Sequence, residues 1–196
     1  MNNKGKAYAS KKPLELRPQG DFYETPKSLT WELIKQGEIA KTDSIVDPCQ
    51  GERAIVDTLI EEGFSQVHGS DLFVGKDNRD IYSYEQDSYD VVVTNFPFSE
   101  WDQMVWKSLE IAPKVITIGR VNYFGTHKRN VEGLWDHLTR VYIFDRMVDY
   151  RTPYREDGSF HVGALVTGWF VFERRKRTAP TLHVVDVQRY AKLGAY

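Results

Sequence analysis

The chain has 196 residues, 41% of them apolar and 13% aromatic, with a formal net charge of −2. That length and apolar content can bury a core without covalent staples, and the lone cysteine, Cys49, excludes a disulfide framework within the chain. No apolar run reaches the roughly 20 residues a bilayer requires and no signal-peptide pattern is found, so a reducing cytoplasm is the expected setting.

Residues 1–20 carry five Lys or Arg against one Glu, and Pro13 and Pro18 discourage helix, so this segment is expected to be a flexible basic arm. Thr25 and Pro26 are expected to open a helix through about Gln36, with Thr as cap, Pro at the first helical position and Gly37 at the close. Ser44 to Asp47 reads as an apolar strand ending in a carboxylate. The turn Pro48-Cys49-Gln50-Gly51-Glu52 leads from it into a helical stretch from about Arg53 to Glu62. A strand, a Gly-containing turn and a helix start describe a nucleotide site, because Gly51 permits close backbone approach and the helix start offers unpaired N–H groups. Gln66 to Asp71 reads as a second strand tipped by a carboxylate, the position that holds a ribose diol in dinucleotide-type folds. Either half alone is also an ordinary βα turn or strand end.

Tyr89 to Thr94 is a strand-like, β-branched run that stops abruptly at Asn95-Phe96-Pro97-Phe98. Such an edge sets an amide oxygen, a backbone carbonyl and a ring face together at the carboxyl end of a strand, where open α/β sheets bind ligands. Chemistry on a flat amine is what it suggests. Taken alone the tetrapeptide is also an ordinary turn; its place after two carboxylate-tipped strands favours the site. Ser99-Glu100-Trp101-Asp102 has the form of a capping box opening a helix with Met104, Val105 and Leu109 on one face, stopped near Pro113. Val115 to Ile118 is the next strand, Val131 to Leu138 a helix, and Val141 to Phe144 and Leu165 to Phe172 the closing strands. The alternation describes an α/β fold without internal repeats.

At these residues the chain resembles a known family: the class I S-adenosylmethionine-dependent methyltransferases that act on exocyclic amines of nucleic-acid bases, in particular small phage and prophage DNA adenine methylases. Asp21 to Pro26 resembles the family's D-x-Y-x-T-P segment, Asp47 to Gly51 its D-P-x-x-G cofactor loop, and Asn95 to Phe98 its N-P-P-F/Y catalytic motif. Arg120-Val121-Asn122-Tyr123-Phe124 and Gly168 to Glu173 look like its later part, so the resemblance spans roughly residues 21 to 173. It implies a Rossmann-like seven-stranded mixed sheet with helices on both faces over residues 21–175, followed by a C-terminal extension at 176–196. Cofactor contacts are implied for Tyr23, Thr25, Asp47, Pro48, Gly51, Asp71, Leu72, Asp80 and Ile81, the last pair holding the cofactor adenine. S-adenosylhomocysteine would be the product. Two positions depart from the pattern: Arg53 stands where the family usually has a second glycine, and Phe96 where it has the first proline. A β-carbon is not expected to take a backbone conformation that only glycine tolerates, so the loop is expected to differ at Arg53. The carbonyl of Phe96 can act as any other would.

The catalytic set is therefore Asn95, Phe96, Pro97 and Phe98. Asn95 and the Phe96 carbonyl would accept the two N–H bonds of adenine N6 while Phe98 stacks on a base taken out of the duplex. Cytosine N4, an RNA amine, or a non-catalytic cofactor- or DNA-binding module of the same fold are the alternatives. No metal is expected: the transfer needs none, and Cys49 lacks Cys or His companions. DNA contacts are expected from Asn122, Tyr123, Lys128 and Arg129, and from Arg151, Tyr154 and Arg155 in an aromatic, arginine-rich stretch whose Glu156-Asp157-Gly158 also reads as a plain hairpin turn. Residues 21–109 carry seven basic against eighteen acidic side chains, and residues 110–196 fourteen against nine. The basic arm and Arg174-Arg175-Lys176-Arg177 thus bracket an acidic centre, as phosphate contacts or as solvated tails. His127 and His161 read as loop or core histidines. The protein is expected to be a monomer or weak dimer, in a bacterial host's cytoplasm if phage-encoded.

Overall fold

Residues that alternate along the strands divide the core into two layers, one on each face of a single sheet. The computed structural model describes residues 24–150, 155, 163–174 and 179–187. In chain order the elements are α1 (Lys27–Lys35), β1 (Ile45–Asp47), α2 (Ala54–Glu61), β2 (Val67–Gly69), β3 (Val91–Thr94), α3 (Trp101–Ile111), β4 (Lys114–Arg120), α4 (His127–Val131), β5 (Leu138–Phe144), β6 (Thr167–Glu173) and β7 (Thr181–Val185). The seven strands lie in the order β2-β1-β3-β4-β6-β5-β7. β2, β1, β3 and β4 run parallel, β6 is antiparallel to both β4 and β5, and β7 is parallel to β5.

Ile45, Val91, Val93, Ile116 and Ile118 point to one face, where Leu29 and Leu33 of α1 and Ile55 and Leu59 of α2 cover them. Val46, Val92 and Val115 point to the other, against Trp101, Met104, Val105 and Leu109 of α3. Both faces of the central strands are covered, which is why they read as unbroken β-branched runs rather than as alternating ones. Each fully buried Leu or Val contributes about 1.5–3 kcal/mol relative to an exposed one.

The far side of the sheet is tied by charge. Glu38, after the left-handed turn at Gly37, is buried and accepts from Tyr142 (2.6 Å), Lys114 (3.1 Å) and both donor arms of Arg140, which also reaches Glu173 at 2.7 Å. Burial pushes the Glu38 carboxyl up, but Arg140, Tyr142 and Lys114 together outweigh it and hold the group below its ordinary value. Lys114 opens β4, so this network sits at the opposite end of that strand from the site described below.

Four local features differ from expectation. Pro26, not Thr25, holds the cap position of α1 and makes no side-chain bond there. The capping box at Ser99 does not form: Glu100 donates to the Pro97 carbonyl in a tight turn, and α3 begins after it with no side-chain cap. The helix expected at 131–138 is replaced by α4 and a single 3-10 turn at Leu134–His137, because Gly133 at φ 75° interrupts the run. Finally, β7 lies within the segment expected as a C-terminal extension, so the sheet continues past residue 175.

Candidate active site

The carboxyl ends of β1, β3 and β4 converge on one edge, and the residues singled out in the sequence lie along it. After β1 the backbone turns sharply: Ser70 donates to the Asp47 carbonyl at 2.9 Å and Gln50 to the Ser70 carbonyl at 2.9 Å, lacing this loop to the one after β2. Gly51 has φ 49° and Arg53 φ 71°, so Arg53 does take the left-handed conformation in which glycine would be expected. That conformation costs an ordinary residue about 1–2 kcal/mol. The Arg53 side chain is pinned by Asp57 and by the Gln50 side-chain Oε1, each at 3.1 Å, which offsets part of the cost.

Asp47 is 1% exposed. One carboxylate oxygen accepts from the Cys49 amide at 3.1 Å, and the buried Thr94 hydroxyl lies beside the carboxylate as its other polar neighbour. Burial pushes this carboxyl up to about 7, with the Thr94 hydroxyl and the Cys49 amide drawing it down and the Asp71 charge adding to the rise. A buried carboxyl with so few donors around it favours a cation beside it. Asp71 is differently employed. It accepts from the amides of Gly51 (3.1 Å), Phe73 (2.8 Å) and Val74 (3.1 Å). A carboxylate has roughly four lone-pair sites, so Asp71 keeps room for about one further donor rather than for both hydroxyls of a ribose.

Pro48 and Gly51 are buried in the loop, and Ile81 is buried below it. Asp80 caps the 3-10 turn Ile81–Ser83 by accepting from the Tyr82 amide at 3.0 Å. Leu72, Phe73 and Tyr82 are 47%, 75% and 50% exposed, leaving apolar surface beside the two acids where a flat ring could lie. Cys49 packs partly against the α3 layer, and burial with the surrounding carboxylates pushes its thiol well up, so it is an inert loop residue.

At the end of β3, the Asn95 side-chain Nδ2 donates to the Thr25 hydroxyl at 3.2 Å. Thr25 is buried, which explains why it does not cap α1: its oxygen is turned across the edge to Asn95. With the amide nitrogen held there, the carbonyl oxygen of the same planar group points the other way. Phe96 is 2% exposed and packs its ring into the α3 layer, so its backbone carbonyl is what it can offer to chemistry. Pro97 is half-buried and its carbonyl anchors the turn before α3. Phe98 is half-buried between both layers, with the Arg120 guanidinium 4.2 Å above its ring centroid and Tyr123 edge-on at 6.5 Å. Arg120 was legible only as part of a resembling stretch; no local signal marked its contact with Phe98. Gly119 just before it is required by packing, since a β-carbon would stand 2.9 Å from Phe170 and 3.0 Å from Trp101.

The residues expected to contact DNA divide. Asn122 and Lys128 are exposed, Lys128 beside Glu132 at 3.7 Å. Tyr123 and Arg129 are not surface groups: the Tyr123 ring packs 4.9 Å from Trp101, and Arg129 is buried on it, bonded to Asp102 (2.5 Å) and Thr126 (2.7 Å). Both are buried, Tyr123 at 8% and Arg129 at 9% exposure, so their role here is structural and little of either faces a ligand. Arg155 is exposed; Tyr23, Arg151 and Tyr154 lie outside the described residues, as do His161, the basic arm and Arg175-Lys176-Arg177. Arg174 bonds the Asp87 carboxylate and the Leu109 carbonyl, both at 2.6 Å, and follows β6 at the amino end of β4, away from the site. Among the described residues no group of three or more His, Cys, Asp or Glu could hold a metal, and no helix is long and apolar enough to cross a membrane.

No family model matches the chain, and no curated protein matches it in sequence. In structure it is similar to a Pyrococcus horikoshii protein described as a proposed RNA methyltransferase, with a TM-score of 0.60 at 16% identity over 86% of this chain and 91% of that one. It is also similar to the modification subunit of a proposed type I restriction enzyme from Vibrio vulnificus, with a TM-score of 0.55 at 12% identity over 84% of this chain and 47% of that one. The type I restriction enzyme EcoKI M protein gives a TM-score of 0.55 at 12% identity over 84% and 48%. The chain thus spans about half the length of these two subunits. Identities this low bear on the fold alone. The shared architecture, a seven-stranded mixed sheet with helices on both faces, is the class I methyltransferase fold, and this chain has it.

Proposed function

We propose that the chain is an S-adenosylmethionine-dependent methyltransferase that acts on an exocyclic base amine, the N6 of adenine in DNA. The observation that carries this reading is the side-chain amide of Asn95, fixed by Thr25 at the carboxyl end of β3 and followed by the half-buried ring of Phe98.

The residues suit the cofactor. Asp47 offers a buried carboxylate, and Asp71 and Asp80 add negative charge along the same edge, as a cationic sulfonium with an α-amine requires. When bound, S-adenosylmethionine supplies an electrophilic methyl group. Asp71 would take one ribose hydroxyl, Leu72 and Ile81 would border the adenine, and Pro48 and Gly51 would let the backbone approach the methionine part.

An aromatic amine is a poor nucleophile because its lone pair is delocalised into the ring. Asn95 Oδ1 and the Phe96 carbonyl, accepting its two N–H bonds, draw the nitrogen toward tetrahedral geometry and free the lone pair for in-line attack. The gain comes from orientation and from dipoles placed where positive charge develops, with no strong base. Phe98 offers the stacking face for a base that has left the duplex. The acceptor pair fits cytosine N4 and RNA amines equally. Incubation with methyl-labelled cofactor and DNA or RNA, followed by nucleoside analysis, separates these; N6-methyladenine from DNA is the expected product.

A further inference from the structure

Among the described residues Arg53, Arg129, Arg140, Arg146 and Arg174 each pair with a carboxylate, and Arg79 bonds the Ser83 hydroxyl and carbonyl. Arg120 does neither. It ends β4 opposite Thr167 of β6, half-buried, and its guanidinium lies over the Phe98 ring at 4.2 Å. Its Nε is buried with no hydrogen-bond partner. A guanidinium has five N–H donors in a rigid fork and is always charged. Leaving a buried donor unmade costs free energy, which an oxygen of a bound ligand would relieve.

The position narrows what that partner is. β3 and β4 are adjacent and in register, Thr94 beside Thr117, so the end of β4 and the Asn95 edge lie together. A planar fork stacked on the ring that would receive a target base also competes with that base for the ring face. The same fork matches the oxygens of a phosphodiester, in two parallel N–H···O bonds. We infer that Arg120 is a phosphate-binding residue on the acceptor side, taking the backbone phosphate beside the target nucleotide as the base replaces it on Phe98. The inference rests on the reading of the site as a base-amine methyltransferase and deepens it: the substrate is then a strand, not a free base or nucleoside.

The test uses the full chain with Arg120→Ala, Arg120→Gln and Arg120→Lys. Binding to a short single-stranded and a duplex oligonucleotide is measured over a salt series, with cofactor affinity followed by calorimetry. Arg120→Ala and Arg120→Gln are each expected to weaken binding at least tenfold and to lower the slope of log affinity against log salt by about 0.7 on single strands and 0.9 on duplex, one phosphate's share. Arg120→Lys keeps the charge and should keep the slope while losing part of the affinity. Cofactor affinity should be unchanged in all three. Arg120→Gln keeps the aliphatic stem and a polar, uncharged end and is the deciding variant if the alanine form does not fold. An unchanged salt slope in Arg120→Gln, with wild-type methyl transfer intact, overturns the assignment and leaves the proposed function standing; so does a loss of cofactor affinity alone, which would move Arg120 to the cofactor. Absence of methyl transfer by the wild-type protein to any DNA or RNA overturns both.

Discussion

The Thr25 hydroxyl and the Asn95 side-chain nitrogen meet at 3.2 Å across 70 residues of sequence, and this bond fixes which way the Asn95 amide faces. Losing it removes this hold on the nitrogen, and a turned amide would present a donor where an acceptor is needed. Thr25→Val, which keeps the shape and removes the acceptor, is expected to lower the single-turnover rate about tenfold, equivalent to about 1.4 kcal/mol. Thr25→Ser should restore most of it. Equal rates for valine and wild type would show that the bond does not orient the amide.

Asp47 gives a pH dependence of definite sign. Its carboxyl is pushed up to about 7 by burial, against an unfolded value of about 3.9. The folded protein therefore holds a proton that the unfolded chain has already released. The stability associated with that proton is fully present below about pH 4 and is lost as pH rises through 7. Asp47→Asn should flatten the decline, so that its melting temperature exceeds that of wild type by a margin that grows from pH 5 to pH 8. Cofactor binding should move oppositely: strengthening from pH 6 to pH 8 in wild type, and weaker by about tenfold or more, with less pH dependence, in Asp47→Asn. Parallel pH profiles for the two proteins would contradict the raised carboxyl.

Glu38 tests the far end of the sheet. It is held below its ordinary value by Arg140, Tyr142 and Lys114 acting against burial. Its contribution is therefore present above the unfolded carboxylate value and lost as pH falls through the folded one. Glu38→Ala strands Arg140 and Lys114 with less compensation and should cost about 3 kcal/mol, the low end for a broken buried pair because both cations reach solvent. Urea unfolding at pH 7 measures it. A loss under about 1 kcal/mol would show that solvent replaces the carboxylate.

The sheet was legible in the chain because covering both faces of β1, β3 and β4 demands runs such as Val91-Val92-Val93, which sequence reading detects directly. The loop ends were legible too, since Asp47 and Asn95 each follow such a run and Asp71 follows the short stretch Val67-His68-Gly69-Ser70. What failed was local capping. Thr25 has the right chemistry for a cap and is drawn away by a residue 70 positions on, which no local pattern shows. Arg129 and Tyr123 read as surface contacts because they lie in a polar, loop-like stretch, and they are buried only because Asp102 and Trp101 of α3 meet them there. Arg53 read as a defect in the loop, whereas Gln50 and Asp57 hold it in the left-handed turn. β7 went unread because it follows a basic run and four of its five residues are exposed.

The most direct measurement is methyl transfer by wild type and Asn95→Ala, side by side with calorimetric binding of S-adenosylmethionine. Wild type should place label on DNA that is recovered as N6-methyladenine. Asn95→Ala should bind the cofactor with unchanged affinity and lose transfer by about a hundredfold or more, the scale expected for removing a group that meets developing charge. Near-wild-type transfer by Asn95→Ala, or label recovered on no base amine, would contradict a site in which Asn95 accepts from the target nitrogen.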